Sequence, residues 1–444
     1  MKIIKLLLLT ILISNTGKSQ VNFVSSNFQT DIGPFTIASG DLNKDGNLDI
    51  VSTNYTANTL SILIGDGLGN FITSSNIFIG GKPYKLTIED LDNDNNLDII
   101  STNAFSDDIS ILLGDGSGTF ASVSYLPVGD GPTGVVAGDF NMDGIKDIIV
   151  TNYNITSYSF LSGNGNGTFN PSINTSFIGS PNGITKNDFN KDGKLDFATA
   201  NNLSGDVSIF IGNGNGTFVL QNSYVCDNGT YDIISSDFNS DGNIDLATVN
   251  NVSNTISVLL GNGFGLFSTP TNYNIGSSPY SITFGDYNGD GSMDIASANS
   301  VTNDISILIN NQNGTFANSV SFGSGSTTCG IISNLFNQDS KIDLASVNYS
   351  DNNLTILLNN TILKSISDIE DEIGIILTPK DNGLKLNILG GKSNASLKVI
   401  DVLGRVIYQG KINNNFMDID LNSGLFILEI SVGNKNFIKK YLNK

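Results

Sequence analysis

Apolar positions along this chain come in short bursts rather than long runs. Asp49-Ile-Val-Ser-Thr-Asn54 mixes core-like and polar side chains, and Leu60-Ser-Ile-Leu-Ile64 does so again. A glycine-rich turn follows and ends on an aromatic, Gly65-Asp-Gly67-Leu-Gly69-Asn-Phe71. Short apolar–polar stretches bounded by Gly, Asn and Asp predict strands joined by tight turns. The same group of signals returns down the chain, each time around one aspartate-rich frame. The first copy is Asp41-Leu-Asn43-Lys-Asp45-Gly46-Asn-Leu-Asp49; others start at Asp90, Asp139, Asp188, Asp237 and Asp286, and a worn copy starts at Leu335, all at intervals of 49 residues. A solvated charge run or a drifting linker would not keep so constant a period.

A proline stands a few residues before five of the frames, at Pro34, Pro83, Pro132, Pro181 and Pro279. One further strand therefore runs from that position to the frame, which makes four short strands per repeat. Four strands in a unit of this length match a propeller blade rather than a solenoid. The seventh copy stops at Asn359-Asn360 without its last strand, while residues 22–33 read as an outer strand lacking a blade. Joined, they complete one blade and remove the exposed edges. The expected fold is all-β: a seven-bladed β-propeller over 20–360 followed by a small C-terminal β-sandwich-like domain.

Composition agrees, with only 14% charged residues and 48 glycines in 444 positions, a strand-and-turn balance. Charge is unevenly spread: residues 20–360 carry −25, and 361–444 carry +2. A body so acidic repels nucleic acid and anionic membrane and suits cations or a basic partner. There is no His and no Trp, so the commonest general acid/base and transition-metal ligand is missing. Cys226 and Cys329 fall at different places in their repeats, which argues against a disulfide and for small packing residues.

Of the 42 acidic residues, 19 lie in the first six frames and 2 in the seventh. Packing three carboxylates into nine positions costs repulsion unless a cation binds. Oxygens at positions one, three, five and nine, with a backbone carbonyl near position seven, suit Ca2+, which takes about six to eight oxygens at about 2.3–2.6 Å. Magnesium gives up its waters less readily. Gly at position six supplies the positive φ that folds the loop back.

The expected ligand sets are Asp41, Asn43, Asp45 and Asp49; Asp90, Asp92, Asp94 and Asp98; Asp139, Asn141, Asp143 and Asp147; Asp188, Asn190, Asp192 and Asp196; Asp237, Asn239, Asp241 and Asp245; and Asp286, Asn288, Asp290 and Asp294. In the second set Asn95 replaces the glycine, which Asn tolerates. In the seventh frame Leu335 and Ser340 replace the first Asp and the Gly, so that site is expected to be weak or empty. Six divalent ions would bring the propeller from −25 to −13. The alternative is an ordinary Asp/Asn/Gly turn without metal. EF-hands carry a similar loop but between helices and with a Glu at position twelve.

From the proline through D-x-N-x-D-G-x-x-D to G-[DN]-G-x-G-x-F, residues 22–360 resemble FG-GAP/VCBS repeats, the blades of integrin α-type propellers. That resemblance implies calcium in hairpin loops between the first and second strands of each blade. At the far end of the first strand, the register reads Phe35, Tyr84, Thr133, Asn182, Tyr231, Tyr280 and Cys329. Phe35, Tyr84, Tyr231 and Tyr280 could grip a glycan or protein, with Tyr55, Tyr153 and Tyr349 in nearby turns. Equally, they could cap the inner core.

Residues 1–19 read as a signal peptide: Lys2 and Lys5, an apolar Leu6–Ile13, and small Gly17 and Ser19 before a cut near Gln20. No segment is long enough to span a bilayer as a helix. Residues 361–372 form an acidic linker. Over 373–444, strand-like Gly383–Ile388, Ser396–Ile400, Arg405–Tyr408 and Leu425–Ile430 lead to a basic end, Phe437-Ile-Lys-Lys-Tyr441. Leu397-Lys-Val-Ile-Asp-Val-Leu-Gly-Arg-Val-Ile407 and Leu421-Asn-Ser-Gly-Leu-Phe-Ile427 resemble the C-terminal sorting domain of type IX secretion substrates, although Thr378-Pro-Lys-Asp stands where Pro-Asn-Pro is usual. This implies engagement of that secretion machinery and release or attachment at the outer cell surface.

The expected function is a non-enzymatic, secreted or surface-held calcium-binding module for a glycan or extracellular protein. Two alternatives stay open: an extracellular polysaccharide-active lyase or glycosidase using a carboxylate pair, and a structural surface spacer.

Overall fold

The computed structural model describes residues 21–361, apart from Ala121, and the strands of the tail between 375 and 443. The expected signal peptide (1–19) and all but the first residue of the expected linker lie outside the described residues. Two compact units are present, one of them Val21–Thr361.

Val21–Thr361 forms seven four-stranded antiparallel sheets, the blades of a propeller. Blade one holds β2 (Pro34–Gly40), β3 (Asp49–Asn54), β4 (Thr59–Gly65) and β5 (Phe71–Phe78), paired in chain order. Blades two to six repeat that order. Blade seven is closed by both ends of the unit: β1 (Phe23–Gln29) pairs antiparallel along Asn353–Asn359, with Phe23 opposite Asn359 and Gln29 opposite Asn353. The split blade expected from the sequence is therefore present. Asn22 tightens the seam, its amide N–H donating to Thr361 Oγ1 at 3.0 Å.

Hydrophobic cores lie between blades rather than within one. Ile50 and Leu63 of blade one pack with Val347 and Ile356 of blade seven, and Val51, Leu60 and Ile62 pack with Leu86, Ile99 and Leu112 of blade two. A second strand is thus covered on both faces, and all six residues of each are buried. That double burial explains why these strands read Ile-Val or Leu-Ala without a solvent face.

Every second strand ends in a buried Asn whose amide latches the following turn. Asn250 Nδ2 donates to Thr255 Oγ1 at 3.0 Å and Ser257 Oγ at 2.8 Å; Asn54, Asn152 and Asn348 bond their own turns in the same way. Buried hydroxyls keep their cost low only while partnered. Asn250→Ala is expected to destabilise the propeller by about 1–3 kcal/mol in urea titrations; an effect near zero would mean the latch is dispensable.

The tail forms two antiparallel sheets. Gly383–Ile388 pairs between Ile375–Lys380 and Phe416–Asp420, and the second sheet runs in the order Val406–Ile412, Ala395–Asp401, Gly424–Val432, Lys435–Asn443. The strands expected from the sequence are all present. Leu397 and Val399 are buried. Among the described residues, no helix is long and apolar enough to cross a membrane.

Candidate functional site

Each aspartate frame is a loop between the first and second strands of its blade. In blade one, Asp41 Oδ1 accepts the Asp45 N–H at 3.1 Å and Asp41 Oδ2 accepts the Gly46 N–H at 3.0 Å. Asn43 Oδ1 also accepts the Asp45 N–H, and Asp45 Oδ1 accepts the Asn47 N–H at 2.8 Å. The pattern repeats from Asp139, Asp188, Asp237 and Asp286. Position six is left-handed in all of these loops, Gly46 at φ 86°, and Asn95 takes φ 66° in the second while still donating to Asp90. Position four is left-handed as well, at Lys44, Asn93, Met142, Lys191 and Ser240. The sequence hints at that requirement only through Gly289 in blade six.

In the second loop, oxygens of Asp90, Asp92 and Asp98 lie within 4.8 Å of one another. Two ligands of one Ca2+ at about 2.3–2.6 Å can be no more than about 5 Å apart, so this spacing fits a shared ion. Asp94 is not part of that group, and in the other five loops Asn stands in place of Asp92 and no three carboxylates come so close among the described residues.

Position nine differs from the rest. Asp49 is fully buried; its Oδ2 accepts the Leu42 N–H and its Oδ1 the Gly65 N–H, both at 3.0 Å. It therefore ties the loop to the end of the third strand. Gly65 itself is fixed by crowding, since a Cβ there would sit 2.2 Å from the Leu48 carbonyl oxygen. Burial raises the position-nine carboxyls against the pull of those two N–H donors, with the neighbouring loop carboxylates adding to the rise. Asp98, Asp196 and Asp245 are pushed up to about 6, and Asp294 to about 7.

The seventh loop keeps only part of this. Asp343 still accepts from Phe336 N and Asn359 N, and Asn337 Oδ1 accepts the Asp339 N–H. Leu335, 42% exposed, brings no oxygen to position one. Writing Leu335→Asp with Ser340→Gly is expected to raise calcium stoichiometry by one in calorimetric titration; unchanged stoichiometry would show that the defect lies elsewhere.

At the other end of the first strands, a register irregularity follows the proline position in every blade, a bulge that re-aims the intervening side chain. The aromatics on that register meet one another. Phe35 lies 4.7 Å from Tyr84 and 6.1 Å from Tyr280, and Tyr231 lies 4.8 Å from Tyr280, ring centre to ring centre. The Tyr84 and Tyr231 hydroxyls hydrogen-bond each other between blades two and five. Tyr55 packs beside Phe35, while the Tyr349 hydroxyl bonds Thr56. Cys329 and Cys226 are free thiols.

Beyond this aromatic plug, a cavity of about 210 Å3 is lined by first strands of all seven blades. Lys85 and Asp232 bring into it charges that the repeat pattern does not predict. Lys85 Nζ lies 2.7 Å from Asp232, which also accepts from Ser281 Oγ; outside the residues that line this cavity, Glu89 pairs with Lys186 at 2.9 Å and Lys146 at 3.6 Å. Glu89 thus bridges two lysines that belong to other blades. Aligning the second residue after the proline position would have exposed one pair, because Lys85 and Asp232 interrupt a column of Gly, Ser and Thr.

A propeller whose blades each carry an acidic hairpin loop on one face defines the class of protein. Residues 41–101, 90–150 and 237–297 match the FG-GAP-like repeat, so the chain carries FG-GAP-like repeats. No curated protein matches the chain. Among solved structures it is similar to BBS1N in its complex with ARL6DN, with a TM-score of 0.55 and 12% identity over 76% of this chain and 96% of that one. It is also similar to the Pseudomonas aeruginosa periplasmic gluconolactonase PpgL, with a TM-score of 0.50 and 15% identity over 64% of this chain and 84% of that one. At such identities the likeness is one of fold.

Proposed function

We propose that this chain is an exported calcium-binding β-propeller that serves as a non-enzymatic binding module. Its six intact loops each hold one Ca2+, and the face opposite them engages a glycan or extracellular protein. The observation that carries the reading is the convergence of Asp90, Asp92 and Asp98 oxygens at a spacing one calcium ion spans, in a frame repeated every 49 residues. Calcium would supply charge compensation for the loop carboxylates and bind each first strand to its second. The protein's own part is to fix the position-one, -three, -five and -nine oxygens through backbone N–H donors, with positions one, three and nine drawn together in the second loop. The tail, with its resemblance to type IX sorting domains, would direct the propeller to the outer surface. Calorimetric titration of the chelator-treated mature protein tests the calcium reading: about six saturable sites support it, and no heat of binding removes it.

A further inference from the structure

The aromatic register is not complete. Blades one, two, five and six fill it with Phe35, Tyr84, Tyr231 and Tyr280, but blades three, four and seven place Thr133, Asn182 and Cys329 there. Beside Thr133 and Asn182 a cavity of about 260 Å3 opens on the face opposite the aspartate loops, between blades two and five. Its walls include Tyr84, Tyr153 and Tyr231, with Asn182 and Asn202 of blade four between them.

Both asparagines carry buried polar atoms with no hydrogen-bond partner in the protein. Asn182 is 4% exposed; its Nδ2 donates to the Tyr84 hydroxyl at 3.3 Å, and its Oδ1 has no donor. Asn202 leaves Nδ2 without an acceptor. Leaving such groups unmatched is costly, and both asparagines line the small cavity beside three tyrosines, with these atoms withdrawn from its open surface. No Lys, Arg, Asp or Glu lines it, and an ion placed there would lose hydration without a counter-charge.

We infer that this cavity binds one neutral polyhydroxylated ring, a single sugar residue. A hydroxyl both donates and accepts, which matches amide side chains such as those of Asn182 and Asn202, and the apolar face of a pyranose suits tyrosine rings. The volume lies below the range of about 300–1,000 Å3 that takes extended ligands, so one ring is seated and the rest of any chain points outward. The inference rests on the binding-module reading, to which it gives a site and a ligand class.

The test is isothermal titration of the mature protein in calcium buffer with methyl glycosides of glucose, galactose, mannose and N-acetylglucosamine, alongside an array of glycans ending in the same residues. At least one sugar is expected to bind saturably. Asn182→Phe, which restores a ring at this register, and Asn202→Ala are expected to weaken it tenfold or more, with melting temperature and calcium stoichiometry kept. Should Asn182→Phe not fold, Asn202→Ala and Tyr153→Ala carry the comparison. Parallel loss of free and arrayed sugar identifies a glycan end as the ligand, and loss of a free sugar with a silent array identifies a soluble monosaccharide; either supports the site. Absence of binding to every sugar, or binding that both variants leave intact, overturns it. Calcium titration of the same samples separates the two readings: sugar-silent protein that still takes up calcium refutes only the pocket.

Discussion

Chelator treatment of the mature protein is expected to lower its melting temperature by about 10 °C or more, and calcium in modest excess to restore it. A ligand held only by the folded state stabilises by about 2.7 kcal/mol at a hundredfold excess over its Kd. Six loops of near-identical construction multiply that effect, and even partial additivity exceeds what one core substitution does. Calcium-free loops also leave −25 on residues 20–360, whose self-repulsion works against compactness. Magnesium at equal concentration is expected to restore far less, because the loops present a many-oxygen cage rather than one that keeps waters.

The pH dependence gives this result a second, independent signature. Asp98, Asp196, Asp245 and Asp343 stand at about 6 and Asp294 at about 7, against an ordinary value of 3.8. A carboxyl raised by folding stabilises the folded state below its unfolded pKa and loses that contribution as pH climbs through its folded pKa. In chelator, then, these groups make stability decline from about pH 4 to about pH 7. In calcium the ionised form is the ligand, so stability should rise across the same window and binding near pH 6 should release protons. Asp66, Asp115 and Asp227 are held low by hydrogen bonds, chiefly from Asn70, Ser117 and Ser253, so their contribution is lost only below that window. Melting curves at pH 5, 6, 7 and 8 with and without calcium would show the two trends crossing; parallel trends would remove calcium from the loops.

The repeat made most of this fold legible. A constant period of 49 residues located the blades, the loops and the split closing blade, because each blade buries its second strand against both neighbours and so repeats the same apolar pattern. What the repeat could not show was what happens when blades meet across the axis. Lys85 and Asp232 are 147 residues apart in the chain and are 2.7 Å apart in the cavity. The register of Phe35, Tyr84, Tyr231 and Tyr280 was visible, but that their rings meet one another depends on the bulge after each proline position. The cavity beside Asn182 opens where Thr133 and Asn182 stand in place of rings, but Cys329 lacks one too, so the column alone does not locate it. In the sequence position nine shows only as a ligand, since its two N–H donors come from position two and from a residue 16 positions on, a contact that only the folded blade creates.

That double role of position nine gives the second large expected effect. Asp245→Ala and Asp343→Ala each leave two backbone N–H groups without their acceptor: Phe238 and Gly261 in blade five, Phe336 and Asn359 in blade seven. Both aspartates are fully buried, so water does not readily replace the lost oxygens. Each variant is expected to lose about 2–4 kcal/mol in chelator, the unmatched donors costing about 1–3 kcal/mol apiece, less what is regained by removing a buried charge. In calcium the two should part. Asp245→Ala also forfeits an ion site, adding about 2.7 kcal/mol at a hundredfold excess over Kd, whereas Asp343→Ala should lose the same amount in both buffers because Leu335 and Ser340 have already eroded that loop. Urea titrations of the two variants with and without calcium measure all four values. A harmless Asp343→Ala would reduce position nine to a ligand alone, and a calcium-dependent one would make the seventh loop a working site.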